Sequence, residues 1–164
     1  MEGFLENAVW RFLSWLPRYV LRKLFDRKWL ADHTRIDVRA RHDPIKIIGG
    51  ELPEIQIWLV VTNLGHFGIE LDRLTVEFIY GGSISNYHFL QRTPLAPNET
   101  KEILVRGVLT RDQERHIAKL PEATFITLQV KAEFNCDVVN FSIDTGQLTG
   151  LSPRLLNISR EAKG

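Results

Sequence analysis

Along the first thirty residues, apolar side chains recur in adjacent pairs about four positions apart. Phe4, Leu5, Ala8, Val9, Phe12, Leu13 and Leu16 share one helical face, and Glu6, Asn7, Arg11 and Ser14 fall on the other. Arg18, Arg22, Lys23, Arg27 and Lys28 follow, interleaved with Tyr19, Val20, Leu21, Leu24, Phe25 and Trp29. Pro17 fits the first turn of a helix but not its interior. The apolar positions after it also lie on a different face from those before it. The pattern therefore predicts two short helices joined by a kink, over about 4–16 and 17–31, with Asp32-His33-Thr34 as the stop.

From Ile36 the period changes from 3.6 to 2. Ile36, Val38 and Ala40 alternate with Asp37, Arg39 and Arg41, which predicts a half-buried strand ended by Asp43-Pro44. Gly49-Gly50 marks a turn. Ile55, Ile57, Leu59 and Val61 predict a second strand, and Leu74, Val76, Phe78 and Tyr80 a third, ended by Gly81-Gly82. A shorter strand spans about 84–91, and a fifth runs through Ile103 and Val105 to Leu109. Thr110 with Gln113 reads as a capping box opening a short helix that Pro121 closes. Ile126 to Phe134 and Val139 to Ile143 complete seven strands, the last ended by Gly146.

The expected fold is thus all-β. It is a seven-stranded immunoglobulin- or fibronectin-like sandwich with one short helix, preceded by an N-terminal kinked amphipathic helical arm. The expected boundaries are 1–34 for the arm, 35–150 for the sandwich and 151–164 for an extended polar tail. In the second strand Trp58 and Val60 make the outward face apolar as well. That face is either a patch beneath a loop or a docking face for the arm.

The net charge of +1 hides an asymmetry. Residues 10–30 hold six Lys/Arg against Asp26 alone, a local +5 that leaves −4 for the remainder. A basic amphipathic arm on a mildly acidic body points to a charged or apolar surface as the arm's partner. The longest uncharged stretch in the arm lies between Arg11 and Arg18, short of the roughly 20 residues of a spanning helix. The basic residues follow the apolar segment, the reverse of a secretory signal. Cys136 is the sole cysteine, which excludes an intramolecular disulfide.

Several residues in the sandwich region carry a family pattern. Leu59-Val60-Val61-Thr62-Asn63 is a hydrophobic strand ending in Asn. Leu71, Leu74, Val76 and Phe78 then lead to Tyr80-Gly81-Gly82, and Pro97-Asn98-Glu99-Thr100 forms a later turn. With the helix near Thr110–Leu120, the stretch from Ile36 to Ser152 resembles the type 2 late-embryogenesis-abundant domain, also called the water-stress and hypersensitive-response domain. Asn63 is followed by Leu64 and Gly65 where that family has Pro and a second Asn. The resemblance implies a fibronectin type III-like sandwich that is non-enzymatic, often membrane-associated, and linked to stress tolerance or binding. It brings no catalytic residues.

Candidate chemistry is sparse. His33, His42, His66, His88 and His116 are scattered without metal-ligand spacing, so no metal site is expected. Gly81-Gly82-Ser83-Ile84-Ser85 is not a nucleophile elbow, and no phosphate-cradling glycine loop occurs. Glu70, Asp72 and Glu77 read as solvating charge. Asn63 to Gly68 is either a plain connection or a binding loop at one end of the sandwich, where His66 and Phe67 join Trp58 and Val60 as a possible interaction face. Base stacking needs exposed rings beside the charges, whereas Phe12 and its neighbours share an apolar stripe, so no nucleic-acid partner is expected.

The expected function is a non-catalytic, peripheral-membrane accessory module with no cofactor and no small-molecule substrate, on the cytoplasmic face. Phe4, Leu5, Val9, Phe12, Leu13 and Leu16 would enter the bilayer boundary. Trp10, Trp15, Tyr19 and Trp29 would sit at headgroup level, and Arg11, Arg18, Arg22, Lys23, Arg27 and Lys28 would meet anionic lipid or a membrane-protein complex. The alternative is a soluble stress-protective protein whose arm packs on its own sandwich, over Trp58 and Val60.

Overall fold

The structure, a computed structural model, describes residues 15–121 and 124–158. The expected helix over 4–16, except its last two residues, falls outside the described residues, as do Phe4, Leu5, Val9, Trp10, Arg11, Phe12 and Leu13. The chain forms α1 (Arg18–Leu24), α2 (Arg27–Asp32), β1 (Thr34–Val38), β2 (Ile45–Ile48), β3 (Glu54–Asn63), β4 (Ile69–Tyr80), β5 (Ser83–Phe89), β6 (Thr93–Leu95), β7 (Thr100–Val108), α3 (Arg111–Lys119), β8 (Ile126–Cys136), β9 (Phe141–Leu151) and β10 (Arg154–Leu156).

The strands make two sheets around one core. In the first, β3 is central, with β1 and β2 end to end along one edge and β7 along the other. β10 joins β2 in parallel. In the second, β4 pairs with β8 on one side and with β5 and β6, end to end, on the other; β9 lies outside β8. Strict alternation buries Ile55, Ile57, Leu59 and Val61 of β3 against Leu74, Val76 and Phe78 of β4 and Leu128, Val130 and Phe134 of β8. The all-β architecture agrees with the periodicity, because an alternating apolar face has to meet another such face to leave water.

The described residues form ten strands, against the expected seven. β2 holds only four residues between a Pro break and a glycine turn, too few for a period, yet Ile45 and Ile47 are wholly buried. β6 contains Pro94, and β10 has three residues. The last long strand does not stop at Gly146. Gly146 and Gly150 take positive φ values of 64° and 77°, and β9 runs through both, with register shifts along its pairing to β8. In β4 the apolar positions Leu71 and Leu74 are three apart, and a register shift between Leu71 and Arg73 restores the inward face.

The arm departs from the single second helix expected over 17–31. Asp26 interrupts it, accepting a hydrogen bond from the Trp29 N–H at 2.8 Å and so capping α2. The capping box at Thr110 forms as expected. The Thr110 hydroxyl accepts from Gln113 N–H at 3.2 Å, and the Gln113 side chain accepts from Thr110 N–H at 2.8 Å. Gln113 then donates to Ser85 at 2.8 Å, tying α3 over the end of the sandwich near β5.

One glycine fixes how the two sheets meet beside β5. A Cβ on Gly107 would lie 2.0 Å from Cδ1 and 2.1 Å from Cε1 of the buried Tyr87 ring. Burial also pushes the Tyr87 phenol above its ordinary pKa, opposed by Ser85. Gly107→Ala is expected to lower stability by about 1–3 kcal/mol through overpacking, read as a reduced urea midpoint at unchanged slope.

Candidate interaction surface

The end of the sandwich that receives the arm is organised by one side chain. Asn63, at the end of β3, is 1% exposed. Its amide nitrogen donates to the carbonyls of Phe67 at 2.8 Å, Ala96 at 3.0 Å and Leu95 at 3.3 Å, and its amide oxygen accepts from Gly65 N–H at 3.0 Å. These bonds join the β3–β4 loop to the β6–β7 turn. The backbone N–H of Asn63 adds a bond to Glu99 O at 2.9 Å. Glu99 is itself held: Ala96 N–H donates to it at 2.6 Å and Lys101 lies 3.3 Å away. The Ala96 bond first, and Lys101 after it, hold the Glu99 carboxyl below its ordinary pKa.

The second half of the arm docks on this end. Leu30 of α2 is 2% exposed within the core, and the Thr34 hydroxyl donates to Leu30 O at 2.9 Å. Burying a leucine is worth about 1.5–3 kcal/mol. Phe25 meets Trp29 edge-on at 4.8 Å and Phe67 at 4.9 Å; Trp29 lies 6.4 Å from Phe67. His33 stacks on Trp29 at 3.8 Å and its Nδ1 is 2.8 Å from Trp29 O, while His66 lies 6.0 Å from the same indole. His33 O accepts from Leu64 N–H at 2.8 Å, joining α2 to the β3–β4 loop. Arg22 Nε donates to Val138 O at 2.8 Å, between β8 and β9.

The described residues before Phe25 are different. None of the residues of α1 is buried. Trp15 is 91% exposed, Tyr19 69% and Leu24 56%, with Arg18 and Lys23 exposed beside them. Leu16, by contrast, is half-buried. Arg27 and Lys28 are exposed on α2, and Arg27 also borders a shallow groove with Asp72 and Glu133.

Trp58 and Val60 lie elsewhere, on the outer face of the first sheet. The Arg39 guanidinium sits 4.4 Å over the Trp58 ring and reaches Glu102 at 3.5 Å and His42 O at 3.3 Å. Trp58 N–H donates to Pro44 O at 2.7 Å. At Trp58 the outward face is thus covered by Arg39 and the 39–44 loop. The described part of the arm docks instead at His66, Phe67 and Val138. Of the expected interaction face, the structure brings His66 and Phe67 together with Trp29 and leaves Trp58 and Val60 apart from them. Sequence reading missed Asn63 as an organiser, Leu30 as a core residue and Arg39 as the lid on Trp58. The Asn at a strand end and the Asp26 cap three residues before Trp29 are the signals that could have found the first two.

The other candidate groups are spread out. His88 pairs with Thr75 at 3.1 Å, and His116 with Gly81 O at 2.9 Å. Glu70 and Asp72 share Arg92. Among the described residues, no three His, Cys, Asp or Glu side chains are placed to hold a metal ion, and no helix is long and apolar enough to cross a membrane.

No family model matches the sequence, and no curated protein matches it. Solved structures share its architecture. The X-ray structure of the structural genomics target SoR45 aligns with TM-score 0.53 at 14% identity, over 82% of this chain and 98% of that one. A candidate ApaA protein from Bordetella pertussis aligns with TM-score 0.50 at 14% identity, over 74% and 94%. The solution structure of a candidate late embryogenesis abundant protein aligns with TM-score 0.47 at 12% identity, over 92% and 90%. The first two establish likeness of fold.

Asn63→Ala removes four hydrogen bonds at once, although Ala96 O keeps its bond from Glu99 N–H. It is expected to cost about 2–4 kcal/mol in chemical denaturation. A second expectation concerns acid. Because folding depresses the Glu99 pKa, its contribution is present above the ordinary value of 4.5 and is lost as pH falls through the folded value. Glu99→Gln should therefore flatten that part of the stability–pH curve.

Proposed function

We propose that this chain is a non-catalytic, peripheral-membrane accessory module. The arm lies on an anionic membrane surface or a membrane-protein partner, and the sandwich is the interaction domain. The observation that carries this reading is the stretch 15–24, where exposed Trp15, ahead of α1, and exposed Tyr19 and Leu24 within it stand with exposed Arg18 and Lys23. Amphipathic rings favour the headgroup level of a bilayer, and each cation near an anionic surface contributes about 1 kcal/mol. The groups that would serve an enzyme are dispersed over separate faces.

The soluble stress-protective reading has one observation in its favour, the docking of Trp29 and Leu30 on the sandwich. Limited proteolysis separates the two readings. An arm packed throughout resists cleavage from 15 to 35 without lipid, whereas a free first half is cut within 15–25.

Truncation to Thr34 would remove Leu30 from the core, so point variants make the cleaner test. The full chain is expected to sediment with phosphatidylserine-containing vesicles and not with phosphatidylcholine alone. Arg18→Glu with Lys23→Glu should weaken that association by more than about tenfold. Unchanged binding of the double variant would sink the electrostatic part of the proposal.

A further inference from the structure

We infer that the sandwich itself supplies a second membrane contact, the β3–β4 loop through Leu64, so that the domain stands end-on to an anionic bilayer. This rests on the peripheral-membrane reading of the arm and adds to it a contact site and an orientation. Leu64 is a large apolar residue, 49% exposed, in a loop whose other apolar member, Phe67, packs on Phe25 and Trp29. The backbone of Leu64 is not free to withdraw it. Its N–H donates to His33 O, and the residues on either side are fixed through the Asn63 amide. A leucine presented by a loop already ordered in this way can enter an interface without the entropy cost of ordering the loop.

The loop is continuous with the exposed part of the arm. Leu24 adjoins Phe25, Phe25 touches Phe67, and Phe67 closes the loop that carries Leu64. Arg18 and Lys23, on the helix that leads into Phe25, are exposed, as are Arg27 and Lys28 on α2. Residues 64–68 contain no acid. The acids nearby are in part engaged: Asp26 caps α2, and Glu99 is bonded to Ala96 and paired with Lys101. Asp32 and Asp137 remain exposed. Asp26 keeps its charge as it caps α2, and Asp72 and Glu133 border a groove with Arg27, so the attraction to anionic headgroups comes from Arg18 and Lys23 of the arm, beside which a small apolar rim suits shallow insertion.

An environment-sensitive fluorophore tests the contact. The label is placed on the full chain at L64C or, as a control, at V108C, each in a C136S background. Val108 pairs with Glu54 at the far end of β3, about 30 Å from Asn63. With phosphatidylserine-containing vesicles, the label at 64 is expected to shift to the blue and to be quenched by spin-labelled lipid, while the label at 108 does neither. Leu64→Asp in the otherwise native chain should weaken vesicle binding about three- to tenfold with the thermal midpoint unchanged. If the chain sediments with vesicles but the label at 64 does not shift, the second contact is wrong and the arm reading stands. A shift at both positions overturns the end-on orientation. Absence of sedimentation by the full chain overturns both, and leaves a protein partner as the occupant of the arm.

Discussion

A buried amide at the end of a strand has four hydrogen-bonding valences and no water to satisfy them. In this protein Asn63 finds its partners among backbone groups: its two amide hydrogens are shared among three carbonyls and its oxygen accepts one N–H, drawn from the β3–β4 loop and the strand and turn around Leu95 and Ala96. Each bond is modest in net terms, but an unmet partner in this setting costs more than the bond contributes. The two connections are therefore held together or lost together. Because Phe67 and Leu64 belong to one of them, the platform on which the arm rests inherits its shape from a single side chain.

That platform receives the described part of the arm unequally. Asp26 ends one helix and starts another, so the chain can bury Leu30 and lean Trp29 on Phe67 while α1 keeps every side chain at least partly in water. Arg22 ties α1 to the sandwich by a hydrogen bond to Val138 O. A long amphipathic helix without this break would have to commit both halves to the same surface. The break allows α2 to be part of the core while α1 stays on the surface.

Much of this was legible in the chain. Alternation at Ile55–Val61 and Ile126–Phe134 located the central strands because both faces of the sandwich demand period 2. The Thr110–Gln113 box located α3. What escaped was decided by pairing, not by period: Ile45–Ile48 and Thr93–Leu95 are too short to show a rhythm, and Gly146 is a stop in a local reading but a bulge once β8 lies alongside. At the site, the aromatic and basic character of the arm was visible. Which of its apolar residues would be claimed by the core was not, because Leu30 and Leu24 look alike in sequence and are separated only by the Asp26 cap.

The bulges of β9 have a meaning beyond pairing. This strand is the outer margin of its sheet, eleven residues long, and a flat margin of that length would offer an unpaired row of N–H and C=O groups to any passing extended chain. Gly146 and Gly150, both in the left-handed region, bend the margin twice, and Asp144 occupies the Gly146 N–H with its own carboxylate. A margin twisted and partly satisfied in this way is a poor template for fibril growth. Two glycines that look like punctuation in the sequence thus guard the protein against self-assembly at the edge of its largest sheet.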